Sequence, residues 1–310
     1  MSAVISSIFK THSRHCLIRL VTVVTSCVLA SLLLNTALVS QPLAAADSTA
    51  PRVVSINLCA DQLVLELAAA EQIVSLTNLS LDPAASVHFK AAQDYPTNKG
   101  SVEEVITLAP DLVIAGQFTN RHTLQLLRNV DIRVEILPIA NSIDALFDNL
   151  TQVSLWLEQP QNGEAIIAGL KERLNALPTS TEPRPRAAVY DPNGYTVGKA
   201  SLRGEILDRA GWHNVASDKG IESYGSLSLE TMITLMPDVL ISSPFSAGTW
   251  SRAQAMNEHP VLHRTGLSAE VIHIPSSHTI CGGPWTLDVI EQLHQIRKNH
   301  ISSVDDPAIK

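Results

Sequence analysis

The chain has 310 residues, 45% of them apolar and 17% charged, with a formal net charge of −8. That is enough apolar material for two cores of ordinary domain size. The charge is uneven: residues 1–46 hold Lys10, Arg14 and Arg19 and no acid, so the remainder carries 19 basic and 30 acidic side chains, −11 net, a balance that argues against nucleic-acid binding.

At the N-terminus these basic residues precede an apolar run over 20–39, and the small residues Ala44, Ala45 and Ala46 lie ahead of Asp47. This is the pattern of a cleavable export signal over residues 1–46. The run is also long enough to span a bilayer, so a retained anchor is the alternative. Signal removal takes Cys16 and Cys27 and leaves Cys59 and Cys281, an even pair that suggests a disulfide in an oxidising compartment.

After a short lead, residues 53–58 read as a strand, 61–70 as a helix and 73–76 as a second strand, a β-α-β start. Residues 78–99 are polar and irregular. Residues 101–116, SVEEVITLAPDLVIAG, then introduce a unit that returns as SLETMITLMPDVLISS at 228–243, with eight identities in sixteen positions. In each copy a serine (Ser101, Ser228) is a natural N-cap with glutamates just inside it (Glu103, Glu104, Glu230). The apolar residues that follow recur at helical spacing, and Pro110 or Pro237 stops the helix. The short β-branched runs beyond, 112–115 and 239–242, read as strands buried on both faces of a parallel sheet. Two copies 127 residues apart imply two similar α/β lobes.

Between the copies lie a helix near 121–129, a strand over 133–138, and a helical stretch over 142–177 interrupted only by Pro160 and Gly163. The Pro-rich run at 178–185 marks the boundary between lobes. The second lobe opens on a strand over 187–190 and a turn-rich connection over 191–201, followed by a helix over 202–210. Residues 244–259 read as a loop and helix, 271–274 as a strand, 278–285 (HTICGGPW) as a Gly- and Pro-rich turn, and 286–298 as the last helix.

None of the common nucleophile-elbow, phosphate-loop or dinucleotide signatures occurs, which points away from an enzyme. A zinc or manganese site could be built from His88 or His122 with Cys59, Cys281 and His278. Scattered surface or core histidines are the alternative, and no metal site is assigned. In open parallel sheets ligands bind beyond the carboxyl ends of the strands. Here those positions are 57–61, 77–78, 116–118, 243–245 and 278–285, so both lobes can face one cleft around a small molecule. Packing is the alternative role of Phe118, Phe245, Trp250 and Trp285.

The segments RVVSINLCADQLVLEL, GSVEEVITLAPDLVIAG, VYDPNGYTVGKASL, GSLSLETMITLMPDVLIS and HTICGGPWTLDVIEQL together resemble the periplasmic substrate-binding proteins of ABC importers for cobalamin and iron-siderophore chelates, over nearly all of residues 52–298. The resemblance implies an N-terminal lobe over 47–160, one long interdomain helix within 161–180 and a C-terminal lobe over 181–310. It also implies a monomeric, non-enzymatic, exported protein without cofactor or lasting membrane insertion, which carries a metal chelate to an importer permease. The candidate ligand residues are Asn57, Cys59, Asp61, Asn78, Gly116, Phe118, Tyr195, Phe245, Trp250, Cys281 and Trp285. Glu103 and Glu230 match the glutamates that dock such proteins on permease arginines; favouring their own helix starts is the alternative. The 13 aromatic residues are few for a cobalamin cleft, and Arg121, Arg203 and Arg252 are candidates for an iron chelate, which is the expectation. If Cys59 and Cys281 both face the cleft, they form an inter-lobe disulfide or remain a pair of free thiols. A periplasmic enzyme and a ligand sensor are the other readings of the same fold.

Overall fold

The computed structural model describes residues 50–178, 184–243, 259–263 and 270–305. Phe245, Trp250, Arg252 and the export segment fall outside them. No helix among the described residues is long and apolar enough to cross a membrane.

The first lobe runs β1 (Val53–Ser55), α1 (Leu58–Leu67), β2 (Ile73–Thr77), β3 (Thr97–Asn98), α2 (Val102–Thr107), β4 (Leu112–Gly116), α3 (Arg121–Asn129) and β5 (Arg133–Leu137). Its five strands are all parallel, in the order β3-β2-β1-β4-β5. The β-branched runs are buried on both faces because alternate side chains of a strand point to opposite sides. In β4, Leu112 and Ile114 join one apolar core while Val113 and Ala115 join another. The first helix begins three residues earlier than the pattern suggests, because the Asn57 side chain accepts the amides of Cys59 and Ala60 and caps it. That cap ends the preceding strand at Ser55 and places Cys59 and Asp61 in the first helical turn.

The second lobe runs β6 (Arg186–Val189), β7 (Tyr195–Val197), α6 (Leu202–Arg209), β8 (His213–Asn214), β9 (Tyr224–Ser226), α7 (Leu229–Leu235), β10 (Val239–Ser242), β11 (Glu270–His273) and α8 (Trp285–Asp305). Its parallel sheet has the order β11-β10-β6-β8, and β7 and β9 form a separate antiparallel ribbon. Counted from each lobe's first strand, both sheets step one way to the next strand and then reverse, β1 to β2 and back to β4-β5, β6 to β8 and back to β10-β11. The topology is therefore duplicated along with the sequence.

Between the sheets the chain forms α4 (Ile143–Trp156) and α5 (Pro160–Ala176). The helical stretch divides where Glu158 takes a left-handed backbone (φ 58°) and Pro160 opens α5 at a position that needs no amide donor. A Cβ at Gly163 would lie 2.4 Å from Ser154 Oγ, so glycine lets α5 approach α4. One face of each sheet packs on a single apolar core that includes α1, α4, α6 and α8, whereas each outer face has its own smaller core.

The repeated unit has a common fastening. Ser101 and Ser228 accept the amides of Glu104 and Thr231, and Thr107 and Thr234 donate back to the carbonyls of Glu103 and Glu230. Ala109 and Met236 then turn left-handed (φ 47° and 44°) ahead of Pro110 and Pro237, a backbone cost of roughly 1–2 kcal/mol each. Asp111 and Asp238 accept the backbone amides of Arg52, just before β1, and of Arg186, the first residue of β6. The same two arginines donate their guanidinium groups to carbonyls at the helix ends, Arg52 to Leu108 and Ala109 just past α2 and Arg186 to Leu235 at the end of α7, satisfying groups that a helix end leaves open. The Pro-Asp pair therefore clips helix, incoming strand and outgoing strand together.

Candidate functional site

A cleft of about 660 Å³ lies between the lobes. It is lined from the first lobe by the start of α1, the turn after β4, the segment after β5 and Asn149 of α4, and from the second by Asp191, β7, α6, β9, Ser243 and the turn before α8. Most of these segments follow the carboxyl ends of strands in the two parallel sheets, where a doubly wound sheet leaves a crevice as its strand order reverses.

Each lobe presents the equivalent pair of positions at that reversal. In the first lobe Asn57 follows β1 and Gly116 ends β4. A Cβ at Gly116 would lie 2.3 Å from Asn57 Nδ2, so only glycine fits beside the amide. Asn57 spends its oxygen on capping α1, which leaves its nitrogen as the donor available at the cleft. In the second lobe Asp191 follows β6 and Ser243 follows β10. The Asp191 carboxylate accepts the Ser243 amide at 2.8 Å and Arg203 Nη1 at 2.5 Å, while Arg203 Nη2 donates to Ser243 Oγ at 3.0 Å. The two charged side chains are only 16% and 11% exposed, so the guanidinium is committed to its carboxylate rather than offered free to a ligand.

Aromatic surface enters from both sides. Phe118 in the turn after β4 is 83% exposed. Tyr195 and Tyr224, brought together by the β7-β9 ribbon, lie with ring centroids 6.3 Å apart and planes 21° from parallel. Burial first, and then Tyr224, push the Tyr195 phenol above its ordinary range, so it remains a hydrogen-bond donor at neutral pH. The Tyr224 hydroxyl donates across to Asn141 Oδ1 at 2.9 Å, between the second lobe and the segment after β5.

Of the residues expected at the site, Asn57, Cys59, Gly116, Phe118, Tyr195 and Cys281 line the cleft. Cys59 and Cys281 are joined by a disulfide with Cα atoms 5.3 Å apart, and this consumes both sulfurs as metal ligands. Three expected residues do not line the cleft. Asp61 is fully buried under the sheet, accepting the amide and hydroxyl of Thr77; desolvation outweighs these bonds and raises its carboxyl to about 7. Asn78 is exposed in the turn after β2. Trp285 is 5% exposed, its indole donating to the Cys281 carbonyl at 3.0 Å and meeting His88 edge-on at 5.5 Å, which makes it a packing residue. Arg121 is likewise exposed at the start of α3 rather than in the lining.

Several lining residues escaped sequence reasoning, including Tyr224, Asp191 and Asn149. A signal existed for Asp191: Arg52 and Arg186 stand five residues before Asn57 and Asp191, so RVVSIN aligns with RAAVYD at the head of each lobe. Tyr224 sits in a short ribbon strand with no periodic pattern. Away from the cleft, Glu103 and Glu230 are exposed in the first turns of α2 and α7. The Glu230 carboxyl is held below its usual range by its own backbone amide and by Ser228.

Residues 53–275 match the family model described as periplasmic binding protein. A cobalamin-binding protein of Halobacterium salinarum is 30% identical over 202 residues, covering 63% of this chain and 54% of that protein; the chain thus spans about half the length of this relative. A vitamin B12-binding protein of Vibrio campbellii is 24% identical over 246 residues, 76% of this chain and 87% of its own length. Among solved structures, the apo periplasmic heme-binding protein RhuT from Roseiflexus sp. RS-1 superposes with a TM-score of 0.66 at 22% identity, over 81% of this chain and 99% of that one. The vitamin B12 binding protein BtuF of Vibrio cholerae superposes with a TM-score of 0.57 at 19% identity, over 81% and 98%. These structural likenesses carry the two-lobed α/β fold.

Proposed function

The chain belongs to the periplasmic binding protein family, and on that premise we propose that it captures a corrinoid of the cobalamin type in the inter-lobe cleft and passes it to the permease of an ABC importer. The observation that carries this reading is the character of the cleft. Stacked tyrosines and exposed Phe118 offer flat apolar faces, and amides and hydroxyls surround them. The single arginine among its described lining residues is neutralised by Asp191. A multiply anionic iron chelate calls for unpaired cations, whereas a corrin ring edged with carboxamides calls for apolar faces and neutral hydrogen-bonding groups. The names of the curated relatives point the same way, so the corrinoid takes precedence here over the iron chelate expected from the scarcity of aromatics.

Titration of the mature protein with cyanocobalamin, hemin and a ferric tris-catecholate, followed by tryptophan fluorescence and calorimetry, tests the assignment. Cyanocobalamin is expected to bind tightest by about tenfold, or about 1.4 kcal/mol. Preference for the catecholate would return the iron-chelate reading, and preference for hemin would move the site to a haem.

Residues 1–46 serve on this reading as the export signal, and the mature protein works as a periplasmic monomer that binds its ligand without turning it over. Glu103 and Glu230 occupy equivalent positions on equivalently capped helices, which suits docking on two basic pockets of a two-fold permease. The Glu103→Arg, Glu230→Arg double variant is expected to retain ligand affinity and lose transport; retained transport would assign these carboxylates to their helix ends alone.

A further inference from the structure

We propose that the Cys59–Cys281 disulfide is a positioning element of the cleft that fixes its width, so that ligand retention and selectivity depend on the oxidation state of this bond. The inference rests on the cleft being the ligand site, as proposed above.

Cys59 belongs to the first turn of α1 and Cys281 to the turn before α8, and both line the cleft. Among the described residues this bond is the one covalent tie between the lobes besides the main chain. It fastens a wedge. The segment 276–284 follows the last strand of the second sheet yet is seated on the first lobe: Ser276 Oγ donates to the Ala84 carbonyl at 2.6 Å. A Cβ at Gly282 would meet Ala140 at 3.2 Å and Leu146 at 3.4 Å, and Leu202 of α6 at 3.0 Å. Ile280 and Gly282, on either side of Cys281, are themselves cleft lining. Elsewhere the lobes are held together by the shared apolar core and by hydrogen bonds of Tyr224 to Asn141 and of Ile143 to Glu205. Without the bond, and among the described residues, the cleft-lining part of the wedge keeps one side-chain hydrogen bond to the first lobe, Ser276 to Ala84, and van der Waals contact. Packed elements shift between discrete arrangements rather than deforming smoothly, so release of this tether alters the width of the cleft at Ile280.

The chemistry is thiol–disulfide exchange with a dithiol reductant. One thiolate of the reductant attacks the Sγ of Cys59, the less buried of the two cysteines, forming a mixed disulfide and expelling the Cys281 thiolate. The second reductant thiolate closes on its own sulfur in that mixed disulfide and expels the Cys59 thiolate. The two protons of the dithiol finish on the cysteines, and the reductant leaves as a disulfide.

Two forms of the mature protein decide the matter: wild type, oxidised or held in dithiothreitol, and the Cys59→Ser, Cys281→Ser variant checked for native circular dichroism. Stopped-flow dissociation and equilibrium affinity are measured for cyanocobalamin and for hemin. With the bond broken, cyanocobalamin dissociation is expected to accelerate about tenfold and the affinity ratio of the two probes to change at least about threefold. A tie that merely stabilises the fold lowers both affinities by one common factor, and an unchanged ratio overturns the proposal. Hydrogen exchange supplies a readout independent of ligand and of the variant's folding: residues 276–284 are expected to lose protection when the wild type is reduced. If oxidised wild type binds neither probe, the corrinoid reading fails, and exchange alone judges the wedge; unchanged protection overturns it.

Discussion

The two lobes share a topology, a Pro-Asp clip and a capped helix, yet they bury their carboxyl groups in opposite ways. In the first lobe Asp61 meets, among the described residues, the amide and hydroxyl of Thr77 and the hydroxyl of Ser55. In the second, Asp191 faces the guanidinium of Arg203 and the amide of Ser243. In the first lobe burial raises the carboxyl against hydrogen bonds that favour its ionised form, and in the second an ion pair is held at the cleft. Duplication thus supplied the scaffold, while the chemistry at strand ends diverged: a neutral amide at Asn57 beside Gly116, a charged pair at Asp191 beside Ser243.

The largest effect that separates the lobes is expected from pH. The folded state holds the Asp61 proton up to about 7, from an ordinary value of 3.8, so between those limits the folded chain binds more protons than the unfolded one. Stability therefore falls as pH rises through this window, by up to about 1.4 kcal/mol per pH unit from this group. The lowered carboxyls of Glu104, Glu230 and Glu291 act in the opposite direction, losing stability as pH falls. Comparison with Asp61→Asn isolates the first contribution. Urea denaturation from pH 4 to pH 7.5 is expected to show the variant gaining on the wild type steadily with pH; a constant difference would mean that Asp61 is ionised throughout.

A reciprocal exchange at the strand ends comes next in size. Asp191→Asn removes the counter-charge of Arg203 in a site where both side chains are mostly out of solvent, and a loss of about 2–3 kcal/mol is expected, less than for a fully buried pair because water still screens the rim. Asn57→Asp keeps an oxygen for the amides of Cys59 and Ala60, and aspartate caps a helix as well as asparagine does, so stability is expected to stay within about 0.5 kcal/mol. Equal losses in the two variants would show that the lobes are not differentiated in this way. The same pair sharpens the ligand assignment: the charge added by Asn57→Asp in the cleft should weaken hemin, with its carboxylates, more than cyanocobalamin.

Much of this architecture was legible in the sequence because it rests on local rules. Ser101 and Ser228 read as caps, Pro110 and Pro237 as stops, and the β-branched runs as doubly covered strands, since each depends on neighbours a few residues away. The strand-end rule likewise located Asn57, Gly116, Phe118 and Cys281 at the cleft. What escaped depends on distant partners. Asp61 and Trp285 look like site residues by position along the chain, but Thr77 and His88 take them into the interior. Arg203 has the right charge for an anionic ligand, and only the fold reveals that Asp191, twelve residues away, already neutralises it. Tyr224 reaches the cleft through a three-residue ribbon strand whose pairing with β7 leaves no periodic trace.

The smallest difference expected between the lobes lies in their shared clip. Arg52 and Arg186 both reach back to carbonyls at the end of the helix before the Pro-Asp turn. Arg186 is the less exposed of the two and also meets Asp218 at 3.3 Å, whereas Arg52 is exposed and bonds carbonyls alone. Alanine at either position keeps the backbone amide that Asp111 or Asp238 accepts, so the strand stays fastened and only the helix end is uncapped. We expect Arg186→Ala to cost about 1.5 kcal/mol and Arg52→Ala about 1 kcal/mol, in line with partly exposed charge-assisted hydrogen bonds. Since the two sites share no partner, the double variant should lose the sum of the two in urea denaturation. A loss well above that sum would mean that the lobes communicate through their common core, and the clip would then belong to the whole molecule rather than to each half separately.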